Sequence, residues 1–111
     1  MNPKYIDMVS KYINTTNGSV EGTFSNKITG NLSEAKKFLF ICNPVASSNG
    51  YTFALIINGS IIYTSPTITD TSAKIYINNY SFSSKDIISY KITYKSSGST
   101  NGTGNMSIIC F

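Results

Sequence analysis

Hydrophobic residues recur at every second position through the middle of the chain. Tyr51, Phe53, Leu55 and Ile57 fall on one side of an extended segment, with Thr52, Ala54 and Ile56 on the other. A pleated strand imposes this period of two. Asn58-Gly59 follows, a dipeptide suited to a type I′ hairpin because both central residues of that turn need positive φ. Ser60–Thr64 reads as the return strand, stopped near Pro66 and followed by the loop T-I-T-D-T-S. Ala73, Ile75 and Ile77 then alternate with Lys74 and Tyr76. After turns at Asn78-Asn79 and S-S-K-D, Ile88, Tyr90, Ile92 and Tyr94 alternate with Ser89, Lys91, Thr93 and Lys95.

The flanking sequence supplies further strands. Val20, Gly22, Phe24, Asn26 and Ile28 alternate, with a bend expected at Gly22. Lys36–Asn43 is the most apolar run. Phe38, Phe40 and Cys42 share one side and Leu39 and Ile41 the other, the pattern of a strand covered on both faces. Pro44 ends it, and an uncharged loop spans Asn43–Gly50. Ser96–Gly104 is a second uncharged, low-complexity loop. The chain finishes on a strand with Met106, Ile108 and Cys110 opposed to Ile109 and Phe111. About seven or eight short strands at this spacing predict an all-β fold, an antiparallel β-sandwich or jelly roll.

Met1–Ile13 follows a different pattern. Tyr5, Ile6, Met8, Val9, Tyr12 and Ile13 recur at steps of three and four, which predicts a short amphipathic helical stripe. A segment of about ten residues is too short to be stable alone as a helix. Its apolar side either closes an open end of the same sandwich or docks on another subunit. The organisation expected is a docking arm over residues 1–16, helical or extended, and a β-sandwich domain over 17–111. The six apolar residues are the expected assembly contacts.

Composition narrows the function. Charged residues are 13% of the 111, about half the usual quarter, so the surface is mainly Ser, Thr and Asn. Such a surface tolerates dense protein contacts, because few charges need desolvating. The net charge of +4 comes from nine basic residues that are all lysine and are scattered from Lys4 to Lys95. Without arginine there is no bidentate reader of phosphate or guanine, and no nucleic-acid partner is expected. No run approaches the ~18 apolar residues of a membrane span, so no membrane insertion is expected. No secretory signal is legible at the N-terminus; cytoplasmic synthesis is expected, with a final location on a virion or a cell or spore surface.

Histidine is absent and only two cysteines occur, which removes histidine catalysis and the ordinary zinc sites. The acidic residues are Asp7, Glu21, Glu34, Asp70 and Asp86. Glu21, Glu34, Asp70 and Asp86 are placed at or near strand ends, where Asp86 reads as a turn residue and Asp70 as a thin calcium candidate. The G-S-T-N-G-T-G stretch lacks the lysine and helix of a phosphate loop. No cofactor and no enzymatic activity are expected. Cys42 and Cys110 are either free thiols or a disulfide. The eight tyrosines are core-edge residues or a glycan platform. Ser47, Asn49, Ser99 and Asn101 in the two uncharged loops are the expected contact residues, a surface glycan being one candidate partner.

From Tyr51 onward the order Y-T-F-A-L-I-I-N-G, a short return strand, A-K-I-Y-I, Y-S-F-S-S-K-D-I-I-S-Y-K-I-T-Y, a Ser/Gly/Thr loop and G-N-M-S-I-I-C-F resembles the second half of jelly-roll domains in bacteriophage fibre, tail-tip and decoration proteins. That resemblance implies a homo-oligomeric structural module within a larger protein assembly. The chain also resembles endospore-appendage subunits, small jelly rolls whose N-terminal connector carries cysteines, which Met1–Ile13 lacks. The expected function is a structural subunit that self-associates and docks through its N-terminal segment. A virion component is the first reading, and a spore fibre or a glycan-binding module the alternatives.

Overall fold

The computed structural model describes residues 2–13, 18–25, 30–45, 50–95 and 102–111. Eight strands are present among them: β1 (Tyr5–Ile13), β2 (Ser19–Thr23), β3 (Lys37–Pro44), β4 (Gly50–Ile57), β5 (Ser60–Thr64), β6 (Lys74–Asn79), β7 (Ile88–Lys95) and β8 (Gly102–Cys110). They form two four-stranded sheets, ordered β1-β8-β3-β6 (sheet A) and β2-β7-β4-β5 (sheet B). Every pairing is antiparallel. This order is that of a jelly roll, in which successive strands pass between two packed sheets.

The alternating residues interleave between the sheets. Phe38, Phe40, Cys42, Met106, Ile108 and Cys110 are buried from sheet A, and Tyr51, Phe53, Leu55, Ile57, Ile88, Ile92 and Tyr94 from sheet B. Tyr51 and Tyr94 are register partners whose ring centroids lie 4.7 Å apart. The expected hairpin is present: Asn58 has φ 54° and Gly59 φ 83°. The Asn58 side chain also ties this turn to the start of β7. Its Oδ1 accepts from the Ile87 N–H at 2.8 Å, and its Nδ2 donates to Asp86 at 2.9 Å.

Tyr5–Ile13 is a strand, which corrects the helical stripe. All nine of its residues pair with β8, from Tyr5 opposite Cys110 to Ile13 opposite Gly102. A strand edge satisfies the backbone of a segment too short to sustain its own helix. Asp7 ties this edge strand to the segment after β2. Its carboxylate is buried and accepts from Ser25 N at 2.8 Å, Ser25 Oγ at 3.0 Å and Met8 N at 2.8 Å. The strand expected over Val20–Ile28 is described as Ser19–Thr23 followed by buried Phe24; residues 26–29 lie outside the described residues.

Candidate assembly face

The outer face of sheet A is apolar. Register places Ile6 opposite Ile109, Ile109 opposite Leu39, and Leu39 opposite Ile77. These four residues make one row across all four strands. The next row is Met8, Ser107, Ile41 and Ile75. Met8 is 70% exposed, Ile75 60%, Ile77 58% and Ile6 40%, while Leu39, Ile41 and Ile109 in the sheet centre are half-buried. Polar residues, neutral but for Lys37, border the band. Ser10, Asn105 and Asn43 form the following row, and Lys37 pairs with Asn79 beyond the first. The band carries no charge of its own. An apolar centre with a polar rim is the anatomy of a protein interface, and monomers rarely leave large apolar patches open unless they function.

One expectation changes here. The β3 pattern predicts cover on both faces, yet among the described residues no strand lies over Leu39 and Ile41. In β6 the isoleucines face outward, and Lys74 and Tyr76 take the inner side. Pairing with β3 sets this phase, since Tyr76 lies opposite buried Phe40 and Ile75 opposite half-buried Ile41.

The expected assembly residues divide between the two faces of β1. Tyr5 and Ile13 are buried in the core and are not available to a partner. Val9 packs against the core at partial exposure. Ile6, Met8 and Tyr12 point out, with Tyr12 62% exposed at one end of the same face. The loop residues Ser47, Asn49, Ser99 and Asn101 lie outside the described residues. The sequence pattern did not single out Leu39, Ile41, Ile75, Ile77 and Ile109 as residues of this outer face. Alternation was the available signal: in β3 and β6 both parities are apolar or half-apolar, and one parity must face outward.

Cys42 and Cys110 are both buried free thiols. Cys110 lies opposite Phe38 on β3, four residues from Cys42 on the same strand. Four strand residues span about 13 Å, well beyond the ~7 Å between Cα atoms that a disulfide can bridge. Burial pushes the Cys42 thiol far above its ordinary range and the Cys110 thiol up to about 12. Neither is a reactive thiol in the folded protein.

The other candidates have local structural partners. The tyrosines do not form a platform: Tyr5, Tyr51, Tyr90 and Tyr94 are buried, Tyr63, Tyr76 and Tyr80 half-buried, and only Tyr12 is exposed. Asp86 accepts from Ser83 N at 2.7 Å as a turn residue. Asp70 accepts from Ser72 N, Ser72 Oγ and Lys74 Nζ; these hydrogen bonds, led by that from the Ser72 hydroxyl, lower its pKa. No group of three potential metal-ligating side chains occurs among the described residues. The outer face of sheet B is polar by contrast. A groove of about 470 Å³ there is lined by Glu21, Thr23, Ile56, Ile61, Ser89 and Lys91, with Lys91 Nζ 3.5 Å from Glu21. No helix among the described residues is long and apolar enough to cross a membrane.

No protein-family model and no curated protein sequence matches the chain. Solved structures share its fold at low identity. The periplasmic g-type lysozyme inhibitor PliG of Aeromonas hydrophila is 8% identical over 97% of this chain and 88% of its own, with a TM-score of 0.55. The CBM36-1 domain of a multidomain xylanase from the hindgut metagenome of Trinervitermes trinervoides is 13% identical over 88% of this chain and 74% of its own, TM-score 0.50. A structure of the disulfide-linked pili of Bacillus endospore appendages is 10% identical over 99% of this chain and 90% of its own, TM-score 0.50. The chain spans 13% of the length of another match, dimeric latent PorU of Porphyromonas gingivalis. At these identities the likeness is one of fold: an antiparallel β-sandwich also found in a carbohydrate-binding module and in a pilus.

Proposed function

We propose that this protein is a non-enzymatic structural subunit that self-associates in a multimeric assembly, using the outer face of sheet A as a contact surface. The uncovered apolar band carrying Ile6, Met8, Ile41, Ile75 and Ile77 is the observation that carries this reading. A second copy suits the band because the band is uncharged. Two such faces pack without opposing like charges, although the chain carries +4 overall. Face-to-face contact would bury them as the inner faces of a sandwich are buried. The N-terminal segment takes part through Ile6, Met8 and Tyr12, as the outer residues of a sheet strand.

Sedimentation across a concentration series tests this. Association is expected in the wild type and should weaken strongly in Met8→Lys, whose side chain is exposed and far from the core. A wild type that stays monomeric at millimolar concentration overturns the reading. The finer assignment is a bacteriophage virion component, with a spore-surface fibre as the alternative assembly. Mass spectrometry of purified particles for this polypeptide and its copy number separates the two.

A second reading rests on the sheet B groove, whose hydroxyl, carboxylate and ammonium groups above an Ile56–Ile61 floor suit a polar ligand such as a glycan. A glycan array that shows binding by the wild type and none by a Glu21→Gln, Thr23→Ala variant would establish it.

A further inference from the structure

The four sheet-edge strands are β1 and β6 in sheet A and β2 and β5 in sheet B. Three of them carry features that discourage pairing with another chain. β1 has an inward-pointing carboxylate, Asp7, that accepts from its own Met8 N–H and from Ser25. β5 has a register shift against β4 between Leu55 and Ile56, and Pro66 lies just beyond it. β2 is only five residues long and contains Glu21 and Gly22. Proteins commonly protect edges by charges, bulges, prolines and short length. β6, K-I-Y-I-N-N, has no proline, glycine or register shift. Its single charge, Lys74, is already engaged by Asp70 at 3.2 Å and Ser72 at 2.8 Å.

The backbone phase of β6 follows from its pairing. Tyr80 N donates to Lys36 O at 2.9 Å. Antiparallel ladders alternate, so Asn78, Tyr76 and Lys74 also direct their backbone groups to β3. Ile75, Ile77 and Asn79 direct theirs to the open edge. On the outer face, Ile75 and Ile77 are themselves exposed.

We infer that β6 pairs with β6 of a second copy, antiparallel about a two-fold axis through Tyr76, joining the two sheets A into one eight-stranded sheet. In this register Ile75 of each copy lies opposite Ile77 of the other, and these outward-directed residues exchange both backbone hydrogen bonds. Lys74 lies opposite Asn78, so no like charges meet. The paired isoleucines also make one apolar band of the two outer faces. The inference rests on the self-association reading and adds to its face contact a second, isologous contact at the sheet edge.

Cross-linking tests the register. All cross-linking variants carry Cys42→Ala, because Cys42 is the β3 register partner of position 74 and would bridge a cysteine there. In the Lys74→Cys/Asn78→Cys double variant, the new cysteines of one chain are four strand residues apart and too distant to bridge each other. Between copies they form two adjacent, non-hydrogen-bonded pairs, the closer kind. Oxidation should convert the double variant to a covalent species of twice the 12.1 kDa chain mass. Each single variant should stay at the monomer mass on a denaturing gel. Adding Ile77→Pro, which removes only an outward N–H and so spares the β3 ladder, should abolish the cross-link. Adding Met8→Lys should leave it, because Met8 is on the opposite edge strand. A folded double variant that does not cross-link, or single variants that cross-link equally well, overturns the edge register. In either case, concentration-dependent association of the wild type that is lost with Met8→Lys would still stand for the face.

Discussion

Ile41 and Ile75 face each other across the β3–β6 ladder on the outer surface of sheet A, the first half-buried and the second 60% exposed. No strand among the described residues covers them. The pair belongs to a surface that contributes little to the monomer's core, so polar replacement should separate association from folding. Ile75→Thr keeps the β-branched shape favoured in strands. It should change unfolding free energy by no more than about 0.5 kcal/mol. Burying an isoleucine completely is worth about 1.5–3 kcal/mol, and about 1.4 kcal/mol is tenfold in affinity. The dissociation constant of the self-associated form should therefore rise about tenfold. Analytical ultracentrifugation and denaturant titration on the same preparation check the two halves of this expectation.

The thiols offer a chemical test of the core. Cys42 and Cys110 are buried and four strand residues apart in register. Native protein should react with neither a disulfide probe nor a maleimide at pH 8 within the time unfolded protein reacts at both positions. Electrophoretic mobility should be the same with and without reductant. Burial raises both thiol pKa values, from 9.0 to about 12 for Cys110. A raised folded-state pKa means the folded protein binds more protons above pH 9 than the unfolded chain does. This contribution to stability is full below pH 9 and is lost as pH rises toward 12. Denaturation midpoints measured from pH 8 upward should fall, and should fall less in a Cys42→Ala, Cys110→Ala variant after correction for its lower starting stability.

Gly22 and Tyr90 are cross-strand partners in the β2–β7 ladder. A side chain at Gly22 would meet the Tyr90 hydroxyl and come within 2.7 Å of its ring carbon Cζ. The Tyr90 ring, packed edge-on to Phe24 at 5.2 Å, is fixed in the core. Gly22→Ala should cost about 1–3 kcal/mol, the usual range for overpacking. Tyr90→Phe removes the nearest atom and should recover part of that loss. A double-mutant cycle by urea denaturation, with coupling above about 0.5 kcal/mol, would confirm the contact; strict additivity would refute it.

The central hairpin was the most legible part of the sequence. Tyr51, Phe53, Leu55 and Ile57 alternate with Thr52, Ala54 and Ile56, and Asn58-Gly59 suits only a few turn shapes. All four side chains are buried, and Asn58 and Gly59 both have positive φ. The strand β1 was hidden for a physical reason. Its inner side carries Asp7 and Lys11, while its outer side carries Ile6, Met8 and Tyr12. An apolar outer face cancels the period of two, and the remaining spacing imitates a helix. The same inversion concealed the direction of β6. The apolar face could not be assembled from the sequence, because its rows depend on β8 lying between β1 and β3, a pairing between distant parts of the chain.

Asp7 gives the last prediction, because it is a carboxylate in a nearly anhydrous position with donors around it. It is 4% exposed and accepts from Ser25 N, Ser25 Oγ and Met8 N, with Tyr5 Oη at 3.3 Å. These bonds connect β1 to the segment after β2 and so tie an edge of sheet A to sheet B. Asp7→Ala leaves two backbone N–H groups without their acceptor. A buried unsatisfied donor costs about 1–3 kcal/mol, and because these two bonds are part-buried the loss should fall within that range and not above it. Asp7→Asn retains one oxygen but places an NH₂ toward donors, so it should be destabilised by less than Asp7→Ala without reaching wild type. Ser25→Ala removes only the hydroxyl donor and should cost about 1 kcal/mol. Hydrogen exchange locates the effect: Asp7→Ala should accelerate exchange at Met8 and Ser25 before the amides of β4 and β7. Uniform acceleration across both sheets would show instead that β1 is part of the global unfolding unit, and its outer residues would then be held as rigidly as the core.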